Sequence, residues 1–270
     1  MRWVDRRIGR TNSLLLGAIP ILLLILVYLF LAVARNEINP ADKILPLPGA
    51  MVDAMRALVF ERDPLSGRYL FWADTLASLQ RLASGVLISA SIGLVVGIAT
   101  GSLPLFRAGI SPLVTGMSLV PPLAILPILF IIFGLGELAK VMLIIIGITP
   151  FLIRDLQQRA EEIPTEQIIK MQTLGANTWQ IITRLVLPQI MPRLLSSVRL
   201  SLGSAWLFLI AAEAIAATEG LGYRIFLVRR YLAMDVILPY VAWITFLAFA
   251  LDFALKRYSQ WRYPWFHGAQ

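Results

Sequence analysis

The stretch TLGANTWQIITRLVLPQIMP, Thr173–Pro192, decides how the rest of the chain is read. It is polar and helix-forming, and it lies between long hydrophobic blocks. A protein that only rests in lipid has little need of such a segment, whereas one that takes force from a soluble partner does. Two short helices are expected around it. Thr165 is the expected N-cap of the first. Ile168, Met171 and Leu174 share one face, with Ile169 beside them, and Glu166, Lys170 and Thr173 share the other. Glu166 and Lys170 make a favourable i,i+4 pair. Gly175 marks the stop, because glycine enters the left-handed region without a Cβ clash. Thr178 is the expected cap of the second helix, with Trp179, Ile182 and Val186 on its apolar face. Pro188 and Pro192 are expected to end it and turn the chain back.

The blocks on either side are long enough for a bilayer, which needs roughly 20 apolar residues per helix. Ser13–Ala34, Val86–Phe106, Ala108–Gly136, Val141–Ile153 and Val236–Leu251 carry no charge, and Leu200–Thr218 carries only Glu213. Six spans are expected, at 13–34, 82–103, 110–133, 138–154, 196–217 and 236–256. Long apolar runs without period-2 alternation predict helices rather than a barrel. The composition agrees: of 270 residues 58% are hydrophobic, and the mean hydropathy is +0.77. A net charge of +8 fits membrane topology better than nucleic-acid binding, because no basic stripe is interleaved with aromatics outside the apolar blocks.

With six spans both termini share a side. Arg2, Arg6, Arg7 and Arg10, then Arg154, Arg159, Lys170, Arg184 and Arg193, then Lys256, Arg257 and Arg262 fall together there. The positive-inside rule makes that side cytoplasmic. Arg56, Arg62, Arg68, Arg224, Arg229 and Arg230 oppose the bias and moderate it. The domain plan is therefore a cytoplasmic N-terminus (1–12), a first span (13–34), an external segment (35–80), a core of five spans (81–257) with the loop at 155–193, and a cytoplasmic tail (258–270). Ala32-Val33-Ala34 looks like a signal-peptide cleavage site, but the apolar run before it is too long, so an uncleaved first span is expected. Cysteine is absent, which excludes disulfides and thiol chemistry.

Within the external segment, Met51, Met55, Leu58 and Val59 recur at helical spacing opposite Asp53, Arg56 and Glu61, as in an interfacial amphipathic helix. Arg62–Arg68 reads as a turn, and Pro40, Pro46 and Pro48 punctuate the start. Tyr69, Phe71 and Trp72 suit either headgroup depth or packing on the bundle. Gly93, Gly97 and Gly101 recur every four residues, a spacing that lets helix backbones approach. Pro121, Pro122 and Pro127 interrupt the third span, and lipid cannot replace the lost hydrogen bonds. They favour a translocation pathway over a plain anchor.

Several motifs in order resemble binding-protein-dependent ABC importer permeases of the nitrate/sulfonate/taurine type. The family's cytoplasmic loop reads Glu-Ala-Ala, three residues, Gly, nine residues, Ile-x-Leu-Pro. Here Gly175 takes the glycine place, Leu185 the isoleucine place, and Leu187-Pro188 the end. Ile169, Lys170 and Met171 stand where Glu-Ala-Ala would, and Glu166, one turn earlier, could substitute for the glutamate. Val120-Pro121-Pro122-Leu123-Ala124, Phe133-Gly134-Leu135-Gly136-Glu137, Ala211-Ala212-Glu213 and Gly220-Leu221-Gly222-Tyr223 resemble further family motifs, so that the likeness runs from about residue 46 to 257.

The resemblance implies an all-α type I importer permease in a bacterial cytoplasmic membrane, working as a homodimer with two cytoplasmic ATPase subunits and an external solute-binding protein. It assigns ATPase coupling to the loop 165–188, at Glu166, Ile169, Lys170, Met171, Leu174, Gly175, Ala176, Leu187 and Pro188. ATP and Mg are expected on the partner, since the chain has no Gly-x-x-x-x-Gly-Lys-Ser/Thr phosphate loop. Catalytic residues, cofactors and a metal site are not expected in the chain itself.

Pro121, Pro122 and Glu213 are the pathway or gate candidates. Glu213 has two readings, a group lining the solute route or a buried structural hydrogen bond near the external mouth. Asp252 and Lys256 are expected to pair along the last span. His267 lacks metal-binding neighbours and fits a membrane-surface tail. Glu161 and Glu162 point apart on a helix and do not suit acid–base catalysis. The resemblance suggests a solute such as nitrate, a sulfonate, taurine or bicarbonate. No Arg or Lys lies deep in an expected span to favour anions, so urea or guanidinium stays open. An ATP-independent channel would leave the loop without a purpose, and an intramembrane enzyme would need a cluster that the lone Glu213 does not make.

Overall fold

The computed structural model describes residues 9–39, 43–64 and 66–267. Arg2, Arg6, Arg7 and Pro40, and the side chains of Arg10 and His267, lie outside the described residues. Every regular element described is a helix.

α1 (Arg10–Ile38) is the first apolar block, and only 6% of its most apolar window is buried. It meets the rest at Ala32, which is fully buried, and where the Tyr28 hydroxyl donates to the Pro46 carbonyl at 2.6 Å. α2 (Pro48–Phe60) is the amphipathic helix, opened by Pro48 at a position where the missing N–H goes unused. Its Met55, Leu58 and Val59 pack on the core while Val52 and Phe60 face outward.

α3 (Leu70–Ser102) begins at Leu70, well before the expected start at 82, and its 33 residues extend about 50 Å. Polar Asp74, Ser78 and Arg81 hid these first three or so turns from a hydropathy reading. Phe71 is buried against Tyr240 and Trp243 of the last long helix, so that ring is packing, whereas Tyr69 and Trp72 remain exposed. The glycine stripe of α3 lies on α6 (Glu137–Glu161). A Cβ at Gly85, Gly93 or Gly97 would stand 2.8 Å from the Cβ of Ile144, Leu152 or Leu156 in turn. Close backbone approach is thus enforced along four turns.

α4 (Pro104–Leu119) and α5 (Leu126–Phe133) form one broken element, bent by 84° across Val120–Ile125. Pro121 and Pro122 supply no amide proton there, and Val120 takes the extended conformation imposed by a following proline. Gly134, at φ 74°, then turns the chain into α6.

α6 is the central helix, with Leu143, Ile144, Leu152 and Leu156 fully buried between α3 and α9 (Leu187–Ala216). Among the described residues four helices are long and apolar enough to cross a membrane, namely Leu16–Ile38, Leu70–Ser102, Thr178–Ala216 and Met234–Arg262, and there is a fifth if the bent pair is one span. α6 is not among them, and its apolar run is flanked by Lys140 on one side and Arg154, Asp155 and Arg159 on the other. A helix sheathed by protein does not need a uniformly apolar surface.

α7 (Thr165–Thr173) and α8 (Thr178–Ile181) form the elbow. A widened π turn, Ile182–Val186, joins α8 to α9, so residues 178–216 make one continuous column. Pro188 and Pro192 therefore do not end a helix: Pro188 sits in the first turn of α9 and Pro192 just inside it. Proline is tolerated where no helical N–H is required, and the π turn absorbs the mismatch. α10 (Leu221–Val228) is a short cap at the far end, followed by α11 (Met234–Arg262) and α12 (Pro264–His267).

Candidate functional site

Two polar assemblies stand at opposite ends of the bundle. The first is the elbow. α7 closes with the Gly175 N–H donating to Gln172 O at 2.9 Å and the Ala176 N–H to Met171 O at 3.0 Å. This is a Schellman stop, and it places Gly175 at φ 80°, as the sequence predicts. The caps differ from expectation. Pro164, not Thr165, precedes α7, without a side-chain cap. Asn177, not Thr178, caps α8: its Oδ1 accepts from the Gln180 N–H at 2.8 Å, and Gln180 Oε1 accepts from the Asn177 N–H at 2.9 Å. The Asn-x-x-Gln spacing was the signal for this capping box; threonine is the weaker cap.

The inner side of the elbow is anchored. Ile181, Ile182 and Leu187 pack on the core, Val186 and Ile190 are buried, and Gln189 Nε2 donates to Gln167 Oε1 at 2.9 Å. The outer side is not anchored. Leu174 is 75% exposed, Trp179 71% and Ile169 53%. Glu166, Lys170 and Pro188 are exposed around them, while Met171 and Ala176 are half-buried. Exposed apolar side chains beside exposed charges, on an element outside the long apolar helices, make the elbow a candidate interaction surface.

The second assembly joins α3, α6, α9, α10 and α11. Glu213 is fully buried. Its carboxylate accepts from Arg81 Nη1 at 2.7 Å, from the Ser78 hydroxyl at 2.8 Å and from the Gly222 N–H at 2.9 Å. Arg81 also donates to Glu219 O at 2.8 Å and, through Nε and Nη2, to Glu137, which is shared with Lys140. Asp74 accepts from the Gly220 N–H at 2.9 Å, from Arg224 Nε at 2.7 Å and from the Tyr240 hydroxyl at 3.3 Å. Ser78 Oγ in turn accepts from the Leu221 N–H at 2.8 Å. Gly220, at φ 129°, has room only for hydrogen, since a Cβ would lie 2.6 Å from the Glu213 carboxyl.

Charges this deep persist only when paired and hydrogen-bonded. With every acceptor of Glu213 met from within, the cluster fits the structural reading of that residue. Pro121 and Pro122 lie elsewhere, at the exposed break between α4 and α5. Reading the sequence missed Asp74, Ser78, Arg81, Arg224 and Tyr240. The signal was the i, i+4, i+7 spacing of the first three, one face of a helix whose start was set too late.

Two further expectations change, those for Asp252 and for basic residues inside the helices. Asp252 pairs across helices with Arg199 Nε at 2.8 Å and Nη2 at 2.9 Å, not with Lys256 in an ion pair of its own helix. Glu161 and Glu162 meet Arg107 and Arg159, at 3.2 Å and 3.3 Å. Basic residues do occur inside the helices: Arg81 is buried about three turns into α3, Lys140 is buried at the start of α6, and α6 carries Arg154 two turns before its end. Among the described residues no His, Cys, Asp and Glu group of three or more is arranged to hold a metal.

Residues 89–264 match the family model described as binding-protein-dependent transport system inner membrane component. The taurine transport system permease protein TauC of Escherichia coli is 36% identical over 197 residues, 73% of this chain and 71% of that one. The bicarbonate transport system permease protein CmpB of Synechococcus elongatus is 31% identical over 199 residues, 73% of this chain and 69% of that one. An inward-facing structure of the MetNI methionine ABC transporter has a similar fold, with TM-score 0.56 and 23% identity over 67% of this chain and 93% of its own. With its apolar helices, broken third element and protruding elbow, this chain belongs to the family of inner membrane components of binding-protein-dependent transport systems, the permease subunits of ABC importers.

Proposed function

We propose that two copies of this chain form the solute route of an ATP-driven importer, with the α7–α8 elbow as the seat for an ATPase subunit. The exposed tip of Leu174, Trp179 and Ile169 carries this reading. It is apolar, and the turn behind it is fixed by the Gly175 stop and the Asn177 capping box, which suits a helix that fills a cleft on a partner. Glu166 and Lys170 supply the polar rim, and Gly175, Ala176, Met171, Leu187 and Pro188 hold the elbow's shape. The ATPases bind ATP and Mg, and their closure moves the elbow as a rigid body. The two permease halves then rock between inward-open and outward-open states around the solute.

In this arrangement α6 is the fourth of six spans, both termini and the elbow face the cytoplasm, and α2 and α10 lie outside, where a binding protein delivers solute. The exposed stripe Leu200, Gly203 and Leu207 on α9 suits contact with the second copy. The taurine and bicarbonate relatives favour a small solute bearing an oxyanion. Co-expression with the neighbouring genes tests the reading. ATPase subunits are expected to co-purify and to be lost with Gly175→Asp, which puts a charged side chain at a left-handed position. No co-purifying ATPase, or solute uptake indifferent to ATP depletion, would overturn it.

A further inference from the structure

A groove of about 660 Å³ lies between α4 and α6 toward the elbow end. Ser111, Thr115 and Ser118 line it from α4, at the i, i+4, i+7 spacing of one helix face. Phe151, Arg154 and Gln158 line it from α6. Both helices belong to the bundle's membrane-crossing part on the reading above. The Ser111 and Ser118 hydroxyls are satisfied within the protein, donating to Gln157 Oε1 at 3.0 Å and to the Thr115 carbonyl at 2.8 Å. The Arg154 guanidinium is the group that would forfeit hydration against hydrocarbon, and it calls for water or a polar guest.

The sign of the unmatched charge identifies the guest. Glu161, at the groove's lower edge, is taken by Arg107 at 3.2 Å and by Gln157 Nε2 at 3.0 Å. Asp155 accepts from Ser197 and has Arg159 at 3.6 Å. Arg199, on the neighbouring helix, is neutralised by the two bonds to Asp252. Arg154 differs: it is exposed, it donates from Nη1 to Ser118 Oγ at 2.9 Å, and among the described residues it has no carboxylate partner. One corner of the guanidinium is held by α4, and the remaining donors are left for a guest. A planar guanidinium with free donors matches an oxyanion, which accepts two parallel N–H bonds.

We infer that the α4–α6 groove is an anion-selecting stage of the solute route, with Arg154 as the charged contact and Ser118 as the residue that aims it. The inference rests on the transport reading and adds a sign of charge and a place. It also supplies a cation that the sequence did not place inside a span. The bend of 84° at Pro121 and Pro122 breaks the column between α4 and α5, and widening of the groove would act on the Arg154–Ser118, Ser111–Gln157 and Arg107–Glu161 contacts that join α4 to α6.

The chain has no cysteine of its own, which makes Thr115→Cys a clean reporter of the groove. The complex of permease and ATPases is treated with two methanethiosulfonate reagents of similar size, one bearing a sulfonate and one a quaternary ammonium. Labelling of the permease chain is followed by mass spectrometry. The sulfonate reagent is expected to react faster without nucleotide than in the vanadate-trapped complex. Adding Arg154→Gln is expected to lower the sulfonate-to-ammonium rate ratio about tenfold, and Arg154→Lys to preserve most of it. An unchanged ratio with Arg154→Gln in an assembled complex overturns the inference alone. So does labelling equal in the two nucleotide states, which would assign the guanidinium to lipid headgroups at the membrane boundary. Failure of any ATPase to co-purify sinks the transport reading, and this inference with it.

Discussion

Replacing Arg81 by methionine keeps much of the side-chain volume and deletes the centre of the cluster at the α10 end. Four hydrogen bonds disappear, two to Glu137, one to Glu213 and one to the Glu219 carbonyl. Glu213 is then a fully buried carboxylate whose remaining donors, Ser78 and Gly222, are neutral. Breaking a buried ion pair from one side leaves an uncompensated charge, and the expected loss is about 3–5 kcal/mol. Glu213→Gln should be milder, about 1–3 kcal/mol, because Arg81 retains Glu137 and glutamine keeps an acceptor for Ser78. The double variant should lose less than the sum of the two, since each removes the same bond. Unfolding of the detergent-solubilised chain in a denaturant series, followed by tryptophan fluorescence, gives all three values. The reasoning fails if Arg81→Met matches the parent in stability, if Glu213→Gln is the worse variant, or if the two effects add.

Other outcomes follow from the packing. Gly97→Leu should prevent a stable fold or lower the melting temperature sharply, because even a Cβ would stand 2.8 Å from that of Leu156; thermal melts of the purified chain check this. Asn177→Ala should cost about 0.5–2 kcal/mol of local helix stability and should speed amide exchange in α8 while leaving α3 protected. Leu174→Asp and Trp179→Asp should leave the melting temperature unchanged, as both side chains are exposed, and should reduce the ATPase recovered on co-purification. Arg199→Leu strands Asp252 and should destabilise more than Lys256→Leu, a comparison made in the same denaturant series.

Helical class and the elbow were legible because both rest on local chemistry. Apolar length fixed most of the long helices, and the Gly175 stop needs only a backbone conformation that glycine adopts freely. The double proline at 121 and 122 announced the broken element for the same reason. What stayed hidden depends on partners distant in the chain. The start of α3 was obscured because Asp74 and Arg81 look like loop residues until Arg224 and Glu213 arrive to neutralise them. Asp252 seemed to belong to Lys256, four residues away, because only the folded chain brings Arg199 beside it. The capping box was local and legible, but threonine at 178 drew attention from asparagine at 177. Arg154 lay at the edge of an expected span, and only the full extent of α6 sets it two turns inside.

The ion-pair cluster has a mechanical consequence. Its members come from α3, α6, α9, α10 and α11, and none comes from the bent pair α4 and α5. Five helices are therefore welded at one end into a stiff arm. α6, with 25 residues, spans about 37 Å from the weld toward the elbow. If the elbow takes force as proposed, a push of about 5 Å there would become a tilt of about 8° over that length. On that reading the arm would swing whole, and the proline joint beside it would be the part that yields.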